Sequence, residues 1–136
     1  MGATVGDASN TESKKRILIV EDEVLVRMFT VDALEDEGFQ VEESATAAEA
    51  LTKLQQPGEF AAVIIDVGLP DRSGDQLATE MRALRHNLPL LIASGRSERE
   101  LKERFQLDGK VGIIVKPFTG PMLLHALEQL GITPQA

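Results

Sequence analysis

Cysteine is absent from the 136-residue chain, which excludes disulfides, thiolate metal sites, cysteine nucleophiles and redox sensing through thiols. Long apolar runs are absent as well: none approaches the roughly 18 to 20 residues needed to span a bilayer, so no membrane segment is expected. Positive charge is scarce. Lys and Arg number 14 against 22 Asp and Glu, a formal net charge of -8, and such a surface repels a DNA backbone at long range. Nucleic acid is therefore not an expected partner. Repeats are missing too, and Met1 to Ser13 is rich in Gly, Thr, Ser and Asn without the apolar run of a signal peptide. Residues 1–14 are read as a disordered leader and 15–134 as a single domain, because 136 residues leave little room for a second core. The expected compartment is the cytoplasm.

The remaining residues are organised by short aliphatic runs that each end in a polar residue. Ile17 to Val20 is closed by Glu21-Asp22, Ala61 to Ile65 by Asp66, Leu90 to Ala93 by Ser94-Gly95, and Val111 to Val115 by Lys116-Pro117. Continuous aliphatic runs of this length suit buried parallel strands. Phe39 to Glu43 alternates instead, as a half-buried strand does. Between the runs lie predicted helices over Val24 to Glu37, Ala47 to Gln55, Gly74 to Leu84, Glu98 to Leu107 and Gly120 to Leu130. Five strand–helix units with short connections predict right-handed crossovers and a doubly wound α/β domain with a parallel sheet. Sites in such sheets lie outside the C-terminal strand ends, where Glu21, Asp22, Asp66, Ser94 and Lys116 should converge.

Three carboxylates brought together repel one another unless a cation sits among them, and an all-oxygen donor set favours Mg²⁺ over zinc. Mg²⁺ commonly keeps places for water and phosphate oxygens, so such a site suits a phosphoryl group. The charge on that group can be met by a metal held by Asp22, by the Lys116 ammonium and by the Ser94 hydroxyl. Asp66 then serves as a nucleophile that is already ionised and needs no general base. Glu23, at the start of the first helix, is assigned to capping.

Glu21-Asp22, Asp66-Val67-Gly68-Leu69-Pro70 with Gly74, Ser94, and Lys116-Pro117-Phe118, at successive strand ends, resemble the response-regulator receiver family nearly end to end. The resemblance implies a flavodoxin-like (βα)5 fold with a five-stranded parallel sheet in the order 2-1-3-4-5. It implies that Asp66 is the phosphoacceptor, that Asp22, Asp66 and the Gly68 carbonyl bind Mg²⁺, and that Glu21 acts through water. Ser94 and Lys116 would contact phosphoryl oxygens, beside a cis bond to Pro117. The donor would be a sensor histidine kinase or a phosphotransfer protein. Output would be by protein contact, from a single-domain regulator. Pro89 to Arg96 is also partly similar to the Pro-Phe-x-Phe-Ala-Thr-Gly-Tyr signature of an alphaproteobacterial receiver subclass, with both phenylalanines replaced by aliphatics.

Where many receivers carry a switch aromatic, three residues before the lysine, this chain has Ile113, so the signal is expected to leave through the segment from Ser94 to Glu100. The first helix carries more apolar residues than one buried stripe holds, which leaves a face for extra packing or for docking the kinase. Met122 and Leu124 flank the stripe of the last helix, where a homodimer contact is carried as an expectation. Two rival readings remain: an interaction module that does not depend on phosphorylation, and a metal-dependent phosphohydrolase. The second is disfavoured because Gly68 stands where such an enzyme places an acid-base Asp.

Overall fold

The computed structural model describes residues 14–95, 99–100 and 110–134. Five strands, β1 (Arg16–Val20), β2 (Gln40–Ser44), β3 (Ala62–Asp66), β4 (Leu90–Ser94) and β5 (Val111–Val115), form one sheet in the order β2-β1-β3-β4-β5. Every neighbouring pair is parallel. Among the described residues four helices complete the fold: α1 (Val24–Asp36), α2 (Ala47–Gln55), α3 (Gly74–Leu84) and α4 (Gly120–Gln129). The helix expected over Glu98 to Leu107 lies, apart from Arg99 and Glu100, outside the described residues, as does the leader before Lys14.

Alternation along each strand divides the core between the two faces of the sheet. Leu18, Val20, Val63, Ile65, Leu90 and Ile92 share one buried cluster with Ala47 and Leu54 of α2 and Leu77 and Met81 of α3. Ile17, Ile19, Ala62, Ile64, Leu91 and Ala93 share the other with Leu34 of α1 and Leu123 and Leu127 of α4. Each fully buried Leu or Ile contributes about 1.5 to 3 kcal/mol, so the central strands hold most of the stability. The two edge strands are only partly covered, which is why β2 alternates in sequence and β3 and β4 do not.

Some boundaries differ from the sequence reading. The alternating strand runs from Gln40 to Ser44, one residue later than expected, because Phe39 packs in the core ahead of the ladder and donates its N–H to Leu34 at the end of α1. Helix α1 stops at Asp36, and Gly38 follows in a left-handed conformation at φ 100°, a turn glycine tolerates best. Asp66 is the last residue of its strand, paired in register with Ala93.

Helix α1 divides its surplus of apolar residues between packed and exposed positions. Thr30 and Leu34 are buried, while Val31 and Ala33 pack half-buried on the α4 side of the core. Val24, Leu25, Met28 and Phe29 remain exposed, Leu25 at 80%. On α4, Met122 is exposed, whereas Leu124 packs against the core and presents less apolar surface than the sequence suggested.

Candidate functional site

Register fixes where the site forms. Val20 pairs with Ile65, Asp66 with Ala93 and Ser94 with Val115, so Glu21, Asp66, Ser94 and Lys116 emerge side by side at the C-terminal edge of the sheet. Backbone bonds carry the ladder one step further. The Glu21 N–H donates to Ser44 O at 3.0 Å, Val67 N–H to Ala93 O at 3.0 Å and Lys116 N–H to Ser94 O at 2.7 Å. Asp22, Glu23, Asp66, Val67, Gly68, Ser94, Gly95 and Lys116 line the resulting open crevice of about 660 Å³.

The carboxylates of Glu21, Asp22 and Asp66 each offer an oxygen, and these oxygens all lie within 4.8 Å of one another. Lys116 Nζ stands among them, 2.8 Å from Glu21 Oε1, 3.1 Å from Asp66 Oδ1 and 3.4 Å from Glu23 Oε1. Its bond to Pro117 is cis. Burial acts against the charge on Lys116, but the hydrogen bond and negative charge of Glu21, with Asp66 behind it, outweigh this and hold its pKa above the ordinary lysine value. Glu21 shifts upward. Burial is the main cause, opposed by the hydrogen bond from Lys116 and reinforced by the charge of Asp66.

The three acids differ in exposure. Glu21 and Asp66 are buried, whereas Asp22 is open to solvent. Both oxygens of Glu21 have protein partners, Oε1 at Lys116 and Oε2 at the Glu23 N–H, 3.2 Å away. Ser94 is buried against the crevice, and Gly68 lies beside Asp66, an ideal Cβ there standing in ordinary van der Waals contact with Oδ2 at 3.9 Å. An oxygen-only donor set of this kind fits a hard divalent cation.

Every residue that the sequence nominated is therefore gathered at one edge. Glu23 is a correction: it occupies the N-cap position of α1, yet its side chain accepts no cap hydrogen bond and reaches Lys116 instead. The nearby ammonium competes for the carboxylate more strongly than neutral amides do. Sequence reasoning missed two supporting residues. Arg27 donates to the Glu21 carbonyl at 2.7 Å and to Glu43 Oε1 at 3.2 Å. Asp71 accepts from the Ala47 and Ala48 N–H groups at 2.9 and 3.0 Å, which ties the segment after β3 to the start of α2. Arg27 did carry a signal, as a cation within the otherwise apolar run Val24 to Phe29. Asp71 carried none, since its partners lie more than 20 residues away.

The family model for the response regulator receiver domain matches residues 17–128. Over 127 residues the chain is 32% identical to the sensor kinase CckA of Brucella abortus, an alignment that covers 93% of this chain and 13% of the kinase. The chain thus spans a small part of that relative. Among solved structures, a CheY-like receiver domain protein from Methanospirillum hungatei superposes with a TM-score of 0.76 at 32% identity, covering 88% of this chain and 95% of the other. The response regulator TrrA of Thermotoga maritima, solved in complex with Mg²⁺-BeF, superposes with a TM-score of 0.73 at 28% identity, covering 85% and 98%. With the sheet order, the acidic cluster and the lysine beside it, these likenesses lead to one conclusion: the chain belongs to the response regulator receiver domain family.

Proposed function

We propose that this chain is the phosphoacceptor of a two-component phosphorelay, in which Asp66 takes a phosphoryl group from the phosphohistidine of a sensor histidine kinase or phosphotransfer protein. One observation carries the reading: carboxylate oxygens of Glu21, Asp22 and Asp66 lie within 4.8 Å of one another, with Lys116 Nζ 3.1 Å from Asp66 Oδ1. An ionised Asp66 oxygen attacks phosphorus as the P–N bond to the donor imidazole breaks, leaving an acyl phosphate on this chain and a histidine on the donor. Bound Mg²⁺ supplies positive charge to the phosphoryl oxygens.

Asp22 is the ligand best able to meet the cation directly, because it is open to solvent while both Glu21 oxygens are already engaged. Glu21 then acts through water. The Gly68 carbonyl completes the protein's share of the metal shell, alongside Asp66. Ser94 donates its hydroxyl to one phosphoryl oxygen and Lys116 its ammonium to another.

Residues 15–134 form the acting unit, a receiver that signals by protein contact in the cytoplasm, within or near the subclass that Pro89 to Arg96 resembles. Among the described residues no helix is long and apolar enough to cross a membrane. The net charge of -8 speaks against nucleic acid as a partner, and a homodimer through the last helices would rest on Met122.

Incubation with Mg²⁺ and acetyl phosphate tests the reading. The protein should gain one acid-stable, hydroxylamine-labile phosphoryl group, absent from Asp66→Asn and reduced in Asp22→Ala in step with lost Mg²⁺ binding. Labelling that survives both substitutions would refute the assignment.

A further inference from the structure

Nothing in the phosphotransfer scheme uses Arg27, yet its guanidinium is held at two points and its side chain is only 18% exposed. Nη1 donates to the Glu21 carbonyl at 2.7 Å, while Nε donates to Glu43 Oε1, at the end of β2, at 3.2 Å. The backbone of Arg27 is fixed as well, its N–H donating to Glu23 O at 2.9 Å in the first turn of α1. The side chain therefore bridges the exit of β1, the start of α1 and the end of β2.

The Glu21 carbonyl is no ordinary acceptor. A peptide unit is planar, so that oxygen and the Asp22 N–H turn together, and the orientation of their plane sets the direction in which the Asp22 side chain leaves the backbone. On its other flank Glu21 is pinned by its own N–H, which donates to Ser44 O at 3.0 Å. With both flanks held, rotation of the peptide that links two of the three clustered carboxylates is blocked. We propose that Arg27 is a positioning residue for the cation site, holding the Glu21–Asp22 peptide so that the Asp22 carboxylate is aimed into the crevice before the cation arrives. The inference rests on the Mg²⁺ site proposed above. Groups that orient metal ligands from behind typically change metal affinity by about 10- to 100-fold when removed.

The ion pair with Glu43 offers a plainer role, a surface contact of small worth. The two roles separate by substitution. Arg27→Gln removes the donor to the Glu21 carbonyl, whereas Glu43→Gln removes the ion pair and leaves that donor in place. Mg²⁺ affinity is read by isothermal titration, with thermal unfolding in EDTA and the Asp22 amide resonance recorded on the same samples. Arg27→Gln should weaken Mg²⁺ binding about 10-fold or more and shift the Asp22 amide already in EDTA. Glu43→Gln should do neither. Should Arg27→Gln fail to fold in EDTA, Arg27→Lys keeps the charge but cannot reach both acceptors with a planar fork, and it should show the same loss. Wild-type affinity in a folded Arg27 variant overturns the inference, as does an equal loss in Glu43→Gln. A wild type that binds no Mg²⁺ overturns the proposed function as well, so the two failures are distinguishable.

Discussion

An alanine methyl at position 74 would have to enter space held by main chain, since an ideal Cβ there lies 2.7 Å from Val67 Cα and 3.1 Å from the Asp66 carbonyl oxygen. Neither neighbour is a side-chain tip that can swing aside. At an unstrained helical position, glycine to alanine should stabilise by about 0.4 to 1 kcal/mol through the unfolded chain. Here the contact reverses the sign. Gly74→Ala should destabilise by about 1 to 3 kcal/mol, the usual range for overpacking, as read from urea unfolding midpoints. A stabilised variant would show that the segment from Asp66 to Gly74 relaxes freely. Other single residues owe their visibility in the sequence to the same cause: Asp66, Ser94 and Lys116 each terminate an aliphatic run, so strand register brings them together without help from any loop. Arg27 and Asp71 act through contacts with groups that no strand pattern locates.

The helices divide by how they begin. Thr46, Ser73 and Thr119 cap α2, α3 and α4 with side-chain oxygens, accepting from Glu49, Gln76 and Met122. α1 lacks such a cap, and Asp32, Glu35 and Asp36 stand toward its C-terminal end against the helix dipole. Its order comes from packing through Leu34, and its N-cap carboxylate is given over to Lys116. This departure from local rules falls at the functional edge, where sequence rules for helix starts are least informative. α2 is the opposite case, for three of its free N-terminal donors are met by side chains: Ala47 and Ala48 by Asp71, Glu49 by Thr46. Those backbone hydrogen bonds hold the Asp71 carboxyl below its ordinary value of 3.8. A depressed carboxyl pKa adds stability that is present above 3.8 and is lost as the pH falls through the lowered folded value. Asp71→Ala should therefore melt a few degrees below wild type at neutral pH, with the gap closing in acid below 3.8. A gap that is constant with pH would mean that the loop, and not the charge of Asp71, supports α2.

At the scale of the whole molecule, the crevice opens beside a second surface of opposite character. Leu25, Val26 and Phe29 of α1 face Pro117 and Phe118 across a groove of about 510 Å³ that Lys116 and Glu23 close at one end. Phe29 and Phe118 touch with ring centroids 6.2 Å apart, which keeps the groove walls in register with the lysine. Under the proposed function, this apolar strip on a chain of net charge -8 would let a partner's helix approach the acceptor carboxylate without crossing like charges. Within it Val26 is half-buried and the prominent side chain is Leu25, 80% exposed. Under the proposed function, a charge at that position should hinder a macromolecular donor and be invisible to a small one. Leu25→Asp removes no buried contact, so the fold and its melting temperature should be unchanged. Phosphotransfer from a sensor kinase that labels the wild type should slow by about 10-fold or more, as when an interface residue worth over 1.4 kcal/mol is lost. Labelling by acetyl phosphate should stay at the wild-type rate, because the crevice is untouched. Equal loss with both donors would place the defect in the site itself, and equal retention would mean that the donor protein approaches Asp66 from another side of the sheet edge.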